Sequence, residues 1–247
     1  MLQLTKKLNE EIELNKKIFK RRHGELVEYG NEIQLLHYDS KSFLEGSKTC
    51  AELDKSCNLL VLKSQGSKSV CFIIEPRYKY RNEGQKVTYG DVVTFRNIKN
   101  NMYMHISDRE VIGVSVPTLD QILPPGCKFL NIVSRKIDKR SPPHLFAPSY
   151  EINCSQTRSK FTVRPYRWFE DEGAENIIKG GQIVRLQHSE SSGYICSDDQ
   201  DFTDDGLAEV FLWNFKGKSN DIESVSTQSL FELEIVTEID ESLGQNA

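Results

Sequence analysis

Three stretches of the sequence share one pattern and decide the fold. They are YGNEIQLLHYDSKSFLEG from Tyr29, YGDVVTFRNIKNNMYMHI from Tyr89 and GGQIVRLQHSESSGYICS from Gly180. In each, a glycine is followed three residues later by a β-branched residue and five residues later by Leu or Phe. Because glycine permits a turn of the backbone and alternating apolar residues bury one face of a strand, the pattern predicts three repeated β-hairpins. The matching residues are Gly30, Ile33 and Leu35, then Gly90, Val93 and Phe95, then Gly181, Val184 and Leu186.

Two more positions recur in each copy. Seven residues after the glycine stands His37, Asn97 or His188, and thirteen residues after it an aromatic residue opens the returning strand: Phe43, Tyr103 or Tyr194. The histidines could be metal ligands or catalytic bases, but a base needs an orienting partner. Because Asn97 serves at the same position, we expect these side chains to form hydrogen bonds within the hairpin turns.

The rest of the chain after Gly24 consists of short stretches of alternating polarity with frequent turn residues, which is typical of a mainly β fold. Repeated hairpins of this kind build β-trefoil folds. The first two glycines are 60 residues apart and the last two are 91 apart, so we expect the third copy to begin a second domain. The predicted organisation is a first, partial β-trefoil over 25–172 with an inserted proline-rich loop at about 110–149, the opening of a second β-trefoil over 173–240, and a tail over 241–247.

The first residues carry a helical pattern. Leu4, Leu8 and Ile12 are four residues apart, and Phe19, next to Ile18, follows Ile12 by seven, which predicts an amphipathic helical arm over 1–24. The helix dipole would stabilise the basic residues at its carboxyl end. Alternatively, these residues could contact a neighbouring acidic segment.

Composition excludes several functions. A formal net charge of −4 gives no reason to expect a nucleic-acid partner. The longest apolar runs are far shorter than the ~20 residues of a membrane-spanning helix, so we expect no membrane insertion by this chain. The charged start lacks the apolar stretch of a secretory signal, so we expect a soluble cytosolic chain. The six cysteines form no C-x-x-C pair, so we expect free thiols and no cofactor.

Together these blocks resemble the MIR module shared by protein mannosyltransferases, inositol trisphosphate receptors and ryanodine receptors. EYGNEIQLLHYDSKSFL, FIIEPRYKYRNEGQKVTYGDVV and IIKGGQIVRLQHSESSGYI are similar to successive blocks of the amino terminus of inositol 1,4,5-trisphosphate receptors, in the same order. The resemblance covers about residues 5–109 and 150–238, and the ryanodine receptor branch stays open as an alternative.

This resemblance implies a ligand-sensing and coupling region of an inositol 1,4,5-trisphosphate-gated calcium-release channel, not an enzyme. It implies a place on the cytosolic face of the endoplasmic reticulum membrane and, as partners, other segments or subunits of a tetrameric channel. Because the family's pore and helical ligand-binding domain are not part of the sequence, we expect no channel activity and weak or no binding of inositol 1,4,5-trisphosphate by this chain alone. Two alternatives remain: a mannosyltransferase-associated MIR protein of the secretory pathway, and a structural β-trefoil that has lost ligand binding.

The resemblance also points to a candidate phosphate site. In the family, a loop of the form Arg-Thr-Thr-Gly-Arg follows a Val-Phe-Leu strand and holds a ligand phosphate. Here Val210–Leu212 is followed by Trp213 in place of the leading arginine, and Gly217 and Lys218 match the final Gly-Arg. We therefore predict a ligand-binding phosphate loop at Lys216, Gly217 and Lys218, with a solvated turn as the alternative.

An acidic run invites a calcium interpretation. Counted from Asp201, the acidic and glycine positions fit a calcium loop, but the twelfth position is Leu212 and not the required Glu. We expect a solvated loop and no metal site. The sequence also lacks the G-x-S-x-G, phosphate-loop and H-E-x-x-H motifs.

Overall fold

The computed structural model describes residues 19–51, 54–64, 68–111, 149–166, 176–202, 207–213 and 227–238. These residues form thirteen β-strands and two short 3₁₀ turns, Lys68–Val70 and Thr227–Ser229, and contain no α-helix. The predicted mainly β fold is therefore confirmed for the described residues. The strands are β1 (Phe19–Arg21), β2 (Glu32–His37), β3 (Phe43–Cys50), β4 (Asn58–Lys63), β5 (Cys71–Pro76), β6 (Val92–Asn97), β7 (Tyr103–Val111), β8 (Ser149–Ser155), β9 (Phe161–Pro165), β10 (Gln182–His188), β11 (Tyr194–Phe202), β12 (Ala208–Trp213) and β13 (Phe231–Glu238).

Six of these strands form a closed ring. β2 pairs with β5, β5 with β6, β6 with β9, β9 with β10, β10 with β13, and β13 returns to β2, each pair antiparallel. Closure satisfies the backbone groups that an edge strand would expose. The ring takes two strands from each of the three copies of the sequence pattern.

Three hairpins cover one end of the ring. They are β3–β4, β7–β8 and β11–β12, one from each copy. The hairpins also pair with one another, because β4, β8 and β12 contact each other in all three combinations. The architecture thus repeats three times around one axis.

The opposite end of the ring is closed by a triangle of backbone hydrogen bonds. The amide of Val27 donates to the carbonyl of Ile178 at 2.8 Å, that of Ile178 to Val87 at 3.0 Å, and that of Val87 to Val27 at 2.8 Å. All three side chains are fully buried. Each copy therefore contacts both of the others at this end.

The repeated pattern has the geometry that the sequence predicts. Gly30, Gly90 and Gly181 have φ values of 92°, 89° and 84°, in the left-handed region that favours glycine. The apolar residues three and five positions later are fully buried in one core, which takes side chains from all three copies. The residues at the hairpin turns also match, since Lys41, Asn101 and Ser192 are the non-glycine residues with positive φ.

Two predictions about organisation are corrected. Residues 173–240 do not open a separate domain in the structure, because β10 and β13 are members of the ring that contains β2 and β6. The longer spacing before the third copy arises within the second copy, between β7 and β8, where residues 112–148 lie outside the described part. The pattern of apolar residues predicts a helical arm over 1–24, but Phe19–Arg21 forms β1 and pairs with β13. Residues 1–18 are outside the described part, and so are most of the predicted loop at 110–149 and the tail at 241–247.

Aromatic packing inside the ring joins two strands of the second copy. Phe95 and Phe161, from the first and last ring strands of the second copy, have ring centroids 5.9 Å apart and no exposed surface. Fully burying one such side chain contributes roughly 1.5–3 kcal/mol to the stability of the fold.

In the part of the chain that the structure describes, no helix is long and apolar enough to cross a membrane.

Candidate functional site

The phosphate loop predicted at Lys216, Gly217 and Lys218 lies outside the described residues, so it stays a prediction. The strand before it is described: Val210 is nearly buried and Leu212 is fully buried in β12. Leu212 is also the twelfth position of the acidic run.

The described residues surround a polar cleft of about 460 Å³ between the second and third copies. It lies where the segment 157–160, which connects β8 to β9, meets the hairpin turn after β10. We call it the 158–190 cleft. Its lining residues are Arg77, His105, Ile106, Ser107, Tyr150, Thr157, Arg158, Ser159, Lys160, His188, Glu190, Ser191 and Leu212.

One wall of the cleft is the turn at the end of β10. His188 is buried, and its Nδ1 lies 2.9 Å from the hydroxyl oxygen of Ser191. The amide of Ser189 donates to the carbonyl of Lys160 at 2.9 Å, which fixes this turn against the opposite wall. His37 has the same contact in the first copy, 2.9 Å from Ser40. The expected role of these histidines in the turns is confirmed.

The opposite wall is organised by Ser159. Its hydroxyl oxygen accepts a hydrogen bond from the amide of Ile106 at 2.9 Å and lies 3.0 Å from Nδ1 of His105. Because a hydroxyl can both donate and accept, the tautomer of His105 decides which of the two groups donates in this contact. The strand β7 is thereby fixed to the segment 157–160.

Three cationic side chains and one carboxylate line the cleft. Lys160 Nζ lies 2.9 Å from Glu190 Oε1. This hydrogen bond is the largest cause that lowers the pKa of Glu190, followed by the charge of Lys160 and then those of His188 and Arg77. The guanidinium of Arg158 lies 4.0 Å from the ring centre of Tyr103 and 3.8 Å from Glu75. The cleft is therefore a cationic site with many hydrogen-bond donors.

A second ionisable cluster lies where β1 meets β13. Glu234 is buried, and its Oε1 lies 3.7 Å from Arg21 and 3.9 Å from His23. Burial is the main reason that its pKa is raised to about 7; neighbouring Glu232 acts in the same direction, and Arg21 opposes it. His23, Glu232 and Glu234 place their ligand atoms within 4.8 Å of one another. The nearby guanidinium of Arg21 opposes a further cation there, so we assign this cluster an electrostatic role.

The sequence did not reveal the 158–190 cleft, because its residues come from six separate parts of the chain and match no motif. One signal was available. The positions just before β5, β9 and β13 are Val70, Lys160 and Leu230, so the second copy has a cation where the other copies have buried apolar residues. A comparison of the ends of the three copies, and not only of their beginnings, would have identified Lys160.

Comparison with known proteins identifies the relatives of the chain. Residues 3–120 match the family model described as inositol 1,4,5-trisphosphate/ryanodine receptor. The inositol 1,4,5-trisphosphate receptor itr-1 of Caenorhabditis elegans is 23% identical over 232 residues, which are 92% of this chain and 7% of that receptor. The resemblance to the amino-terminal region of inositol trisphosphate receptors is confirmed. The chain thus spans a small part of the length of this relative.

Solved structures agree on the fold. The SDF2-like protein from Arabidopsis thaliana superposes with a TM-score of 0.57 at 16% identity, over 87% of this chain and 97% of that one. The S. cerevisiae protein O-mannosyltransferase Pmt1-Pmt2 complex superposes with a TM-score of 0.59 at 14% identity, over 89% of this chain and 26% of that one. At these identities the likeness shows a shared fold alone.

Proposed function

We propose that this chain, which is similar to the amino-terminal region of inositol 1,4,5-trisphosphate receptors, is a non-catalytic ligand-sensing and coupling module of a calcium-release channel gated by that ligand. Two matches support the proposal. Residues 3–120 match the receptor family model, and the similarity to the Caenorhabditis elegans receptor covers 92% of the chain. The module would act on the cytosolic face of the endoplasmic reticulum membrane. Its partners would be other segments and subunits of a tetrameric receptor.

We further propose that the described residues between 19 and 238 form a single β-trefoil of the MIR type. A closed ring of six strands, three covering hairpins and a threefold repeat of the turn geometry support this assignment. A closed ring with three hairpins at one end suits a coupling module, because loops held by a regular scaffold commonly carry binding residues.

The ligand phosphate would bind the predicted loop at Lys216, Gly217 and Lys218. A glycine permits close approach of the backbone, and lysine supplies a compact charge without the bidentate contacts of arginine. The chain alone would therefore bind the ligand weakly or not at all. The described histidines support a non-catalytic role, because His37 and His188 hold hairpin turns.

A receptor chimera tests the proposal. The region of the Caenorhabditis elegans receptor that matches this chain is replaced by the 247 residues, and calcium release evoked by inositol 1,4,5-trisphosphate is measured in cells without endogenous receptors. The matched control carries the SDF2-like protein of the same fold in that position. We expect ligand-evoked release from the first chimera and none from the control.

Two outcomes decide the matter. Release by the first chimera only, reduced by Lys216→Ala with Lys218→Ala, supports both the coupling role and the phosphate loop. If both chimeras assemble as tetramers and neither responds to ligand, the coupling role is wrong, and a structural β-trefoil without ligand function is the better account.

A further inference from the structure

We infer that the 158–190 cleft is a second, separate site that binds the phosphate group of a small phosphorylated molecule, in the position where the Glu190 carboxylate now lies. Nothing in the receptor resemblance identifies this cleft, and the inference does not depend on the proposed function. It rests on the charges, hydrogen-bond donors and symmetry of the described residues.

The charge of the cleft is unbalanced. Lys160 pairs with Glu190, and Arg158 is 3.8 Å from Glu75, which also accepts from Arg96. Among the described residues no carboxylate lies within 4.0 Å of the exposed guanidinium of Arg77, which also lines the cleft. An anion that enters between Arg77, Arg158 and Lys160 would be attracted by all three.

The carboxylate of Glu190 occupies the position that we infer for such an anion. Its side chain is 65% exposed, yet its carboxylate lies between Lys160 and the turn of His188, within the influence of Arg77. A carboxylate that is largely in water contributes little as a structural ion pair. It can therefore move away at low cost and leave its cationic partners for a bound oxyanion.

Hydrogen-bond donors suit an oxyanion as well. Four residues that carry a hydroxyl group, Ser107, Tyr150, Thr157 and Ser191, line the same cleft. Charge-assisted hydrogen bonds to phosphate are about twice as strong as neutral ones. A volume of about 460 Å³ exceeds that of a single ion and falls within the range of small-molecule sites, roughly 300–1,000 Å³. The ligand is thus a phosphate carried on a small polar molecule.

The threefold symmetry of the fold allows the cleft to be compared with the equivalent positions of the first and third copies. Ser69, Ser159 and Ser229 occupy equivalent positions, and each is buried and hydrogen-bonded. Around Ser69 the hydroxyl meets the acidic Glu45, whereas around Ser159 it meets His105.

The next position breaks the symmetry further. It is Val70 or Leu230, both buried, in the other copies, and Lys160 in the second copy. Folding alone would accept an apolar residue at all three positions. The change to a basic residue at Lys160, one of three equivalent positions, therefore points to a role other than folding.

The test uses the full 247-residue chain labelled with ¹⁵N. Its amide resonances are followed during titration with inorganic phosphate and with glycerol 2-phosphate at pH 7.5, with chloride keeping the ionic strength constant. We expect saturable shifts at 157–160 and 188–191. We expect Lys160→Met to weaken binding at least fivefold and Glu190→Gln to tighten it at least threefold, because the internal competitor is removed.

A matched control and a competing ligand complete the design. Lys99→Gln removes an exposed cation at the turn position equivalent to Glu190, and it should leave the affinity unchanged. Shifts that do not saturate, or an affinity that Glu190→Gln leaves unchanged, overturn the inference even if Lys160→Met fails to fold. Succinate bound as tightly as phosphate also overturns it, in favour of a site for carboxylates. The calcium-release chimera is read separately, so failure of one proposal does not imply failure of the other.

Discussion

The imidazole of His37 joins the first copy of the repeat to the third: its Nε2 lies 3.0 Å from the carbonyl oxygen of Gln228, 191 residues along the chain. The second copy is joined to the first in the same way, since Asn97 Nδ2 donates to the carbonyl of Ser69 at 2.7 Å. Each hairpin turn is thus attached to the segment that precedes the last strand of a neighbouring copy. These contacts complement the backbone triangle at the other end of the ring.

His37→Ala should lower the free energy of unfolding by about 1–2 kcal/mol, because it leaves the half-buried Gln228 carbonyl and Ser40 hydroxyl without their partner. His37→Asn should cost less than half of this, since Asn97 fills the equivalent position. Urea denaturation of the three proteins measures the difference. Equal losses for both variants would show that packing, and not hydrogen bonding, gives His37 its role.

The sequence predicts the repeat accurately because each copy needs glycine, β-branched and aromatic residues at fixed spacings for local reasons. The sequence does not predict the number of domains, because a long spacing between two copies need not mark a domain boundary. The extra length between Gly90 and Gly181 lies within the second copy. The assignment of Phe19–Arg21 to a helix fails because pairing with β13 overrides a helical pattern of apolar residues. The 158–190 cleft depends on side chains that only the closed ring brings together.

Glu234 should make stability depend on pH. Its pKa is raised to about 7, above the ordinary value of a carboxyl group in the unfolded chain, so the folded state binds the proton more tightly. The stabilisation is fully present below about pH 4 and is lost as pH rises through 7. Glu234→Gln should therefore be more stable than the parent at pH 8 and show a smaller change between pH 5 and pH 8.

Thermal unfolding at both pH values checks this prediction. Glu190→Gln is the control, since its carboxylate is largely exposed and its pKa is lowered. A parent protein with equal stability at pH 5 and pH 8, or an unchanged difference in Glu234→Gln, would contradict the assignment.

Gly90→Ala should cost about 1–2 kcal/mol, because φ is 89° and an L-residue is strained there, although nothing lies within 4 Å of the added methyl group. Gly180→Ala should cost more for a different reason, since its Cβ would lie 2.6 Å from the carbonyl oxygen of Arg22. Chemical denaturation gives both values. A larger loss for Gly90→Ala than for Gly180→Ala would reverse the order that the geometry predicts.

Thiol reactivity should differ between two cysteines. Cys50 is exposed, whereas burial raises the pKa of Cys154 to about 12. Because the thiolate is the reactive form, iodoacetamide at pH 8 should modify Cys50 within minutes and Cys154 only after unfolding. Peptide mass spectrometry locates the modification. Early modification of Cys154 in the folded protein would place it near the surface.

Amide hydrogen exchange at increasing denaturant shows whether the three copies form one closed ring that opens as a unit. The account predicts that the slowest amides of β2, β6 and β10 exchange with the same free energy, equal to that of global unfolding, because strands of one cooperative ring open together. If amides of β10 and β13 exchange through a separate opening while those of β2 and β6 remain protected, the third copy is an independent domain and the account is wrong.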